Sequence, residues 1–143
     1  MRARAEARVN VAAIERNVAR IRREVGAGVA VCAVVKADGY GHGAAPAARA
    51  ALAGGATRLA VATAAEAAEL RAAGIEAPVL VLGALTPDEL TVALDARADI
   101  VAWREELVAG LDRPARVHVK LDTGMGRLGT RDPAAATRVA DLV

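Results

Sequence analysis

Phenylalanine is absent from this 143-residue chain, and tryptophan and tyrosine occur once each. Packing must therefore rest on Leu, Val and Ile. Hydrophobic residues make up 55% of the chain, but 38 of the 143 are Ala, which contribute little bulk. A single cysteine excludes an internal disulfide and suits a reducing compartment. Cys32 lies inside an apolar run and reads as a small buried hydrophobe. No apolar run approaches the roughly 18–20 residues of a membrane span. The opening MRARAEAR lacks the apolar core of a signal peptide, so a cytoplasmic protein without membrane contact is expected. No excess of one charge is present either, with 19 basic and 17 acidic residues. A nucleic-acid partner calls for a basic stripe with stacking aromatics, and the chain has neither. The densest basic run, Arg20, Arg22 and Arg23, falls at the end of a predicted helix, where it complements the carbonyl end.

What the chain does contain is a repeated pattern: a short β-branched apolar run followed by an Ala-rich helical stretch. Asn10 to Val25 reads as a helix, with Val11, Ile14, Val18, Ile21 and Val25 spaced three or four apart. The run Val29 to Val35 is continuously apolar, which predicts a strand buried on both faces. A helix follows from about Gly43 to Leu52, with Pro46 tolerable in its first turn. The strand Arg58 to Ala62 leads into Thr63-Ala-Ala-Glu66, the spacing of a capping box. The strand Val79 to Leu82 precedes a second such box, Thr86-Pro87-Asp88-Glu89, with Pro at the first helical position. A strand at Ile100 to Ala102 is followed by a helix around Trp103 to Leu111. The last strand, Arg116 to Leu121, leads through a Gly-rich loop to a helix that opens near Asp132-Pro133 and is expected still to run at Val143.

Five strand-then-helix units of this kind predict an α/β fold with a parallel sheet and right-handed crossovers. A doubly wound sheet and a (β/α)8 TIM-type barrel both satisfy the pattern, and both place active sites at the C-terminal strand ends.

Lysine is the scarcest charged type. Of 19 basic residues only Lys36 and Lys120 are Lys, and each sits at or near the end of a predicted buried strand. An arginine does not lose its proton in a protein, whereas a desolvated lysine can. Condensation with an aldehyde needs a neutral amine, so Lys is the residue type that serves. Lys36 begins the segment Lys36-Ala-Asp-Gly-Tyr-Gly-His-Gly43, in which three glycines in five positions surround the only Tyr. Such a loop has unusual backbone freedom. Lys120 lies in His118-Val-Lys-Leu-Asp-Thr-Gly-Met-Gly-Arg-Leu-Gly129, where alternation places His118, Lys120 and Asp122 on one strand face, which in a barrel would point into its upper interior.

These two segments, in this order and about four βα units apart, resemble the two signatures of the alanine racemase family of fold-type III pyridoxal phosphate enzymes. The resemblance covers essentially the whole chain. It implies that residues 1–143 form the N-terminal part of a (β/α)8 barrel, about its first five βα units, with the remaining strands and a C-terminal β-domain lying outside this chain. It implies pyridoxal 5'-phosphate as cofactor, held by Lys36 as an internal aldimine. Tyr40 lies toward the phosphate, Arg127 donates to the cofactor's phenolic oxygen, Lys120 is the lysine often carbamylated beside that Arg, and Met125 lines the substrate side. None of these roles requires a metal. His42 reads equally as a loop anchor or as a functional group, while His118, Trp103 and Met125 read as structural residues first. The sequence departs from the family at Ala12, which falls where an acidic cap is usual.

The implied activity is racemisation of L- and D-alanine by two-base proton transfer in a homodimeric parent, supplying D-alanine for cell-wall synthesis. The second base is a Tyr outside this chain, and the isolated chain is expected to be inactive. A racemase for another amino acid and a single-barrel pyridoxal phosphate carrier are the competing readings. A purely structural module explains neither lysine.

Overall fold

The computed structural model describes residues 5–143. Its first helix, α1 (Val11–Val25), starts where Asn10 accepts the Ala13 amide, so the cap comes from Asn10 and not from an acidic residue near Ala12. At its other end, Arg22 donates to the carbonyls of Gly26, Ala27 and Val29, which confirms the expected basic C-terminus.

Then follow β1 (Cys32–Val34), a short turn of helix α2 (Lys36–Gly41), α3 (Ala44–Ala53), β2 (Arg58–Val61), α4 (Ala64–Ala72) and β3 (Val79–Val81). The chain continues through α5 (Pro87–Asp95), β4 (Asp99–Ala102), α6 (Glu105–Ala109), β5 (Val117–Val119) and α7 (Pro133–Asp141). Both predicted capping boxes are present, with Thr63 and Glu66 opening α4 and Thr86 and Glu89 opening α5. The final helix stops at Asp141 with Leu142 as its C-cap, where the periodicity had it continue to Val143.

All four strand pairings are parallel, and the five strands lie side by side in chain order, β1-β2-β3-β4-β5. A doubly wound sheet reverses its order at a switch point, with helices on both faces. Sequential order with right-handed crossovers instead puts every connecting helix on one face, as in a barrel wall. The register makes the division explicit. Leu59, Val79, Val61, Val81 and Ile100 point outward, are fully buried, and pack with Ala67, Leu70 and Ala93 of the helices. Residues of the opposite parity face the barrel interior: Cys32, Val34, Arg58, Ala60, Leu80, Asp99, Val101 and His118.

This arrangement overturns two expectations. Cys32 is exposed, and so is Val34, because β1 is an edge strand whose inward face no helix covers. Partial burial and Asp99 push the Cys32 thiol up and Arg58 opposes them, burial being the largest effect, so it is not an activated nucleophile. The apolar stripe of α1 is likewise covered only in its middle, with Val18 buried and Val11, Ile21 and Val25 exposed.

Alanine abundance is used in the helical layer. Ala48, Ala51, Ala64, Ala67 and Ala93 are almost wholly buried, which lets helices lie close to the sheet and to each other. Arg71 closes the bottom of that layer, donating to the carbonyls of Ala96, Ile75 and Ala77. At Gly54 the approach of α3 to α1 is closest: a Cβ there would meet the Glu15 carbonyl oxygen at 2.5 Å and the Val18 Cβ at 2.9 Å. Gly54→Ala is therefore expected to lower unfolding stability by about 1–3 kcal/mol, the usual cost of overpacking. Urea unfolding measures it, and a variant as stable as the parent would show that α1 is free to move away.

Candidate active site

Lys36 follows β1 at its C-terminal end, two residues past Val34. The rung below it runs across four strands as Val34, Ala60, Leu80 and Asp99. Lys120 stands just past β5, on the opposite edge of the sheet, where its amide donates to the Ala102 carbonyl at 2.8 Å. Both lysines are half-buried, and neither is in an ion pair among the described residues. The two lysines of the chain thus occupy the upper ends of the first and last strands.

The segment after Lys36 is not a loose loop. Ala37, Asp38, Gly39 and Tyr40 all adopt left-handed helical dihedrals, with φ between 51° and 61°. Only Gly takes this conformation freely, and each of the other three residues costs about 1–2 kcal/mol. Four interactions hold the turn. The Gly39 amide donates to the Val35 carbonyl at 3.0 Å, and the Gly43 amide to the Asp38 carbonyl at 2.9 Å. The Asp38 carboxylate accepts the Ala44 amide at 2.8 Å, and the Glu66 carboxylate accepts the Ala37 amide at 2.7 Å. His42 also serves as an anchor: its Nδ1 lies 2.9 Å from the Gly39 carbonyl, an acceptor, so that nitrogen carries the proton. The turn packs its buried Gly39 on Ala44 and Ala47 of α3 and leaves Tyr40 58% exposed.

The second segment closes on itself. Leu121 bridges Thr130, and amides pass between Asp122, Thr130 and Lys120 on both sides of that bridge. Gly129 makes this approach feasible, since a Cβ there would meet the Lys120 carbonyl at 2.9 Å and the Asp122 amide at 3.1 Å, and its φ is 109°. Strand alternation placed Asp122 beside His118 and Lys120, pointing into the upper barrel. The structure separates them. β5 ends at Val119, and Asp122 turns into the loop, where it accepts the amides of Gly124 and Gly126 and an Arg131 N–H at 2.9 Å. Arg127 is exposed, and its guanidinium meets the Met125 sulfur at 3.2 Å. Met125 is itself 75% exposed. No hydrogen bond joins Lys36, Tyr40 or Lys120 to one another among the described residues.

One inward cluster escaped the sequence reading. Asp99, only 3% exposed, pairs with Arg116 at 2.9 Å and lies 3.5 Å from the His118 imidazole. This supports the structural role expected for His118. The available signal was a lone carboxylate inside the run Ala98-Asp-Ile-Val-Ala102, a position that demands a buried partner. Trp103, at the top of β4, is stacked by Arg104 at 5.9 Å from the ring centre.

Asp122 makes a pH prediction. The amide of Gly126 first, then Arg131 and Gly124, hold its carboxyl well below the usual carboxylate range. A folded-state value depressed below the unfolded one of about 3.9 stabilises the protein above about pH 4. That contribution fades as pH falls toward the folded-state value. Asp122→Asn is expected to unfold at lower urea than the parent at pH 7, with the gap narrowing toward pH 3. A gap of constant width would show that the carboxylate charge is not what orders the loop.

Comparison with known proteins matches this geometry to one family. A family model described as alanine racemase, N-terminal domain, matches residues 9–143. An alanine racemase of Desulforamulus reducens is 48% identical over 130 residues, covering 86% of this chain and 35% of that protein. One of Thermobifida fusca is 50% identical over 141 residues, covering 92% of this chain and 37% of that protein. Among solved structures, the alanine racemase of E. faecalis superposes with a TM-score of 0.89 at 36% identity, over 94% of this chain and 38% of that one. The chain thus spans a little over a third of the length of the relatives it matches. Because the match runs through every element from α1 to α7 and the fold is shared as well as the sequence, this chain belongs to the alanine racemase N-terminal domain family.

Proposed function

We propose that Lys36 is the attachment point for pyridoxal 5'-phosphate, and that the protein whose barrel this chain contributes to interconverts L- and D-alanine. The observation that carries the reading is the placement of Lys36. It is a half-buried primary amine without an ion-pair partner among the described residues, at the strand end from which a strained and heavily anchored turn departs. Residues in such backbone regions persist where the surroundings over-determine them, and they gather at functional sites. The relatives named alanine racemase support the choice of reaction.

The donor set suits this cofactor. An amine, an exposed phenol and an exposed guanidinium are supplied by Lys36, Tyr40 and Arg127. The bound cofactor would supply an electron sink for the charge left when an α-proton departs. Lys36 would hold the cofactor, and its amine would take or return the α-proton on one face. The Tyr40 phenol would donate toward the phosphate, and the Arg127 guanidinium to the ring oxygen. Carbamylation of Lys120 would exchange a cation for an anion and orient Arg127 by a charge-assisted hydrogen bond. Met125 would line the substrate side. Proton transfer on the other face belongs to a Tyr outside this chain, from a partner subunit of a homodimer. Supply of D-alanine for cell-wall synthesis in the cytoplasm is the corresponding role.

Reductive trapping with pyridoxal phosphate and borohydride, followed by peptide mapping of the complete protein, tests the assignment. Lys36 is expected to carry the label. Lys36→Ala is expected to lower racemisation of alanine by at least the 10²–10⁴-fold that a general base contributes. A label on Lys120 alone, or on neither lysine, would overturn the reading.

A further inference from the structure

Glu66 was read from the sequence as half of a capping box, and it fills that role: its Oε2 accepts the amides of Thr63 at 3.2 Å and of Ala62 at 2.7 Å. Its other oxygen does something a capping box does not require. Oε1 reaches across to β1 and accepts the Ala37 amide at 2.7 Å, a contact 29 residues away in sequence. That amide belongs to the peptide plane joining Lys36 to Ala37. It is also the first plane of the left-handed turn, where φ of Ala37 is 51°.

We infer that Glu66 is a positioning residue for Lys36: one carboxylate ties the exit of β1 to the exit of β2 and fixes the direction in which the lysine leaves its strand. The inference rests on the reading of Lys36 as the attachment point. Three geometric facts carry it. The carboxylate is shared between three amides from two strand ends, and both of its oxygens are used. The turn it holds contains three non-glycine residues with positive φ, so without an external tie the backbone relaxes toward ordinary dihedrals. Finally, Glu66 is the third residue of α4, so the tie is carried by a helix whose Ala64, Ala67 and Leu70 are buried. Glutamine cannot replace it, because an amide has one acceptor oxygen, and its NH2 must face one of the two sets of N–H donors.

The two lysines of the chain provide an internal standard. The complete protein is treated with pyridoxal 5'-phosphate and cyanoborohydride, and labelling rates at Lys36 and Lys120 are compared by peptide mapping. The complete parent protein is expected to label Lys36 preferentially relative to the same protein in urea. In Glu66→Gln the Lys36:Lys120 ratio is expected to fall about tenfold, the scale of one lost hydrogen bond to a charged acceptor, with the Lys120 rate unchanged. Amide exchange at Ala37 should accelerate by a similar factor. Thr63→Ala removes the hydroxyl cap but leaves the Glu66–Ala37 tie, so it is expected to melt earlier while keeping the parent ratio. Should Glu66→Gln fail to fold, Glu66→Asp keeps the charge at the start of α4 but falls one methylene short of Ala37, and the same drop in ratio is expected. A parent ratio equal to that of the urea-unfolded complete protein removes the Lys36 reading itself. Preferential labelling that survives the Glu66 substitutions, or an equal drop in Thr63→Ala, overturns the role of Glu66 alone.

Discussion

Pairing five parallel strands in chain order is the constraint from which the rest follows. Right-handed crossovers then deliver every helix to one side, so the sheet has a face packed under helices and a face without them. The packed face takes the fully buried Leu59, Val61, Val79, Val81 and Ile100. Polar groups are excluded there; Arg58, Asp99 and His118 take the inward parity, Arg116 pairs with Asp99, and the two lysines stand just past the strand ends. The chemistry-bearing side of the molecule is thus decided by topology before any individual residue is considered.

Strand-end positions were legible because they rest on strong local signals. Continuous apolar runs, two capping boxes and Pro at helix starts placed the elements to within a few residues, and the scarcity of lysine drew attention to Lys36 and Lys120. The choice between a barrel wall and a doubly wound sheet was not legible from periodicity. Both need the same apolar strands and amphipathic helices, and only the order of pairing separates them. Cys32 shows the same limit in one residue. Apolar neighbours on both sides predict burial, but exposure depends on whether β1 has a covering layer on its inner face, which is a tertiary fact.

The turn after Lys36 was half legible. Glycines at 39, 41 and 43 advertise positive φ, and each of them has it. Ala37, Asp38 and Tyr40 do not advertise it, since L-residues disfavour that region and local propensity points the other way. Their conformation is imposed from outside, by the Ala37 amide bonded to Glu66 and by Asp38 reaching the start of α3. The buried Asp99 is a similar case. Its partners Arg116 and His118 lie on a different strand, so the pair exists only once β4 and β5 are in register.

Strain of this kind has a requirement that composition helps to meet. A left-handed turn with three non-glycine residues persists only if the elements it spans cannot shift to relieve it. Small side chains supply that rigidity here, because a helix whose inward residues are Ala approaches its neighbours closely and leaves little room for sliding. Ala44 and Ala47 of α3 receive Gly39 of the turn directly, and Ala64 and Ala67 seat the helix that presents Glu66. The alanine excess, which adds little bulk, is therefore part of what holds α3 and α4 close to the turn that follows Lys36.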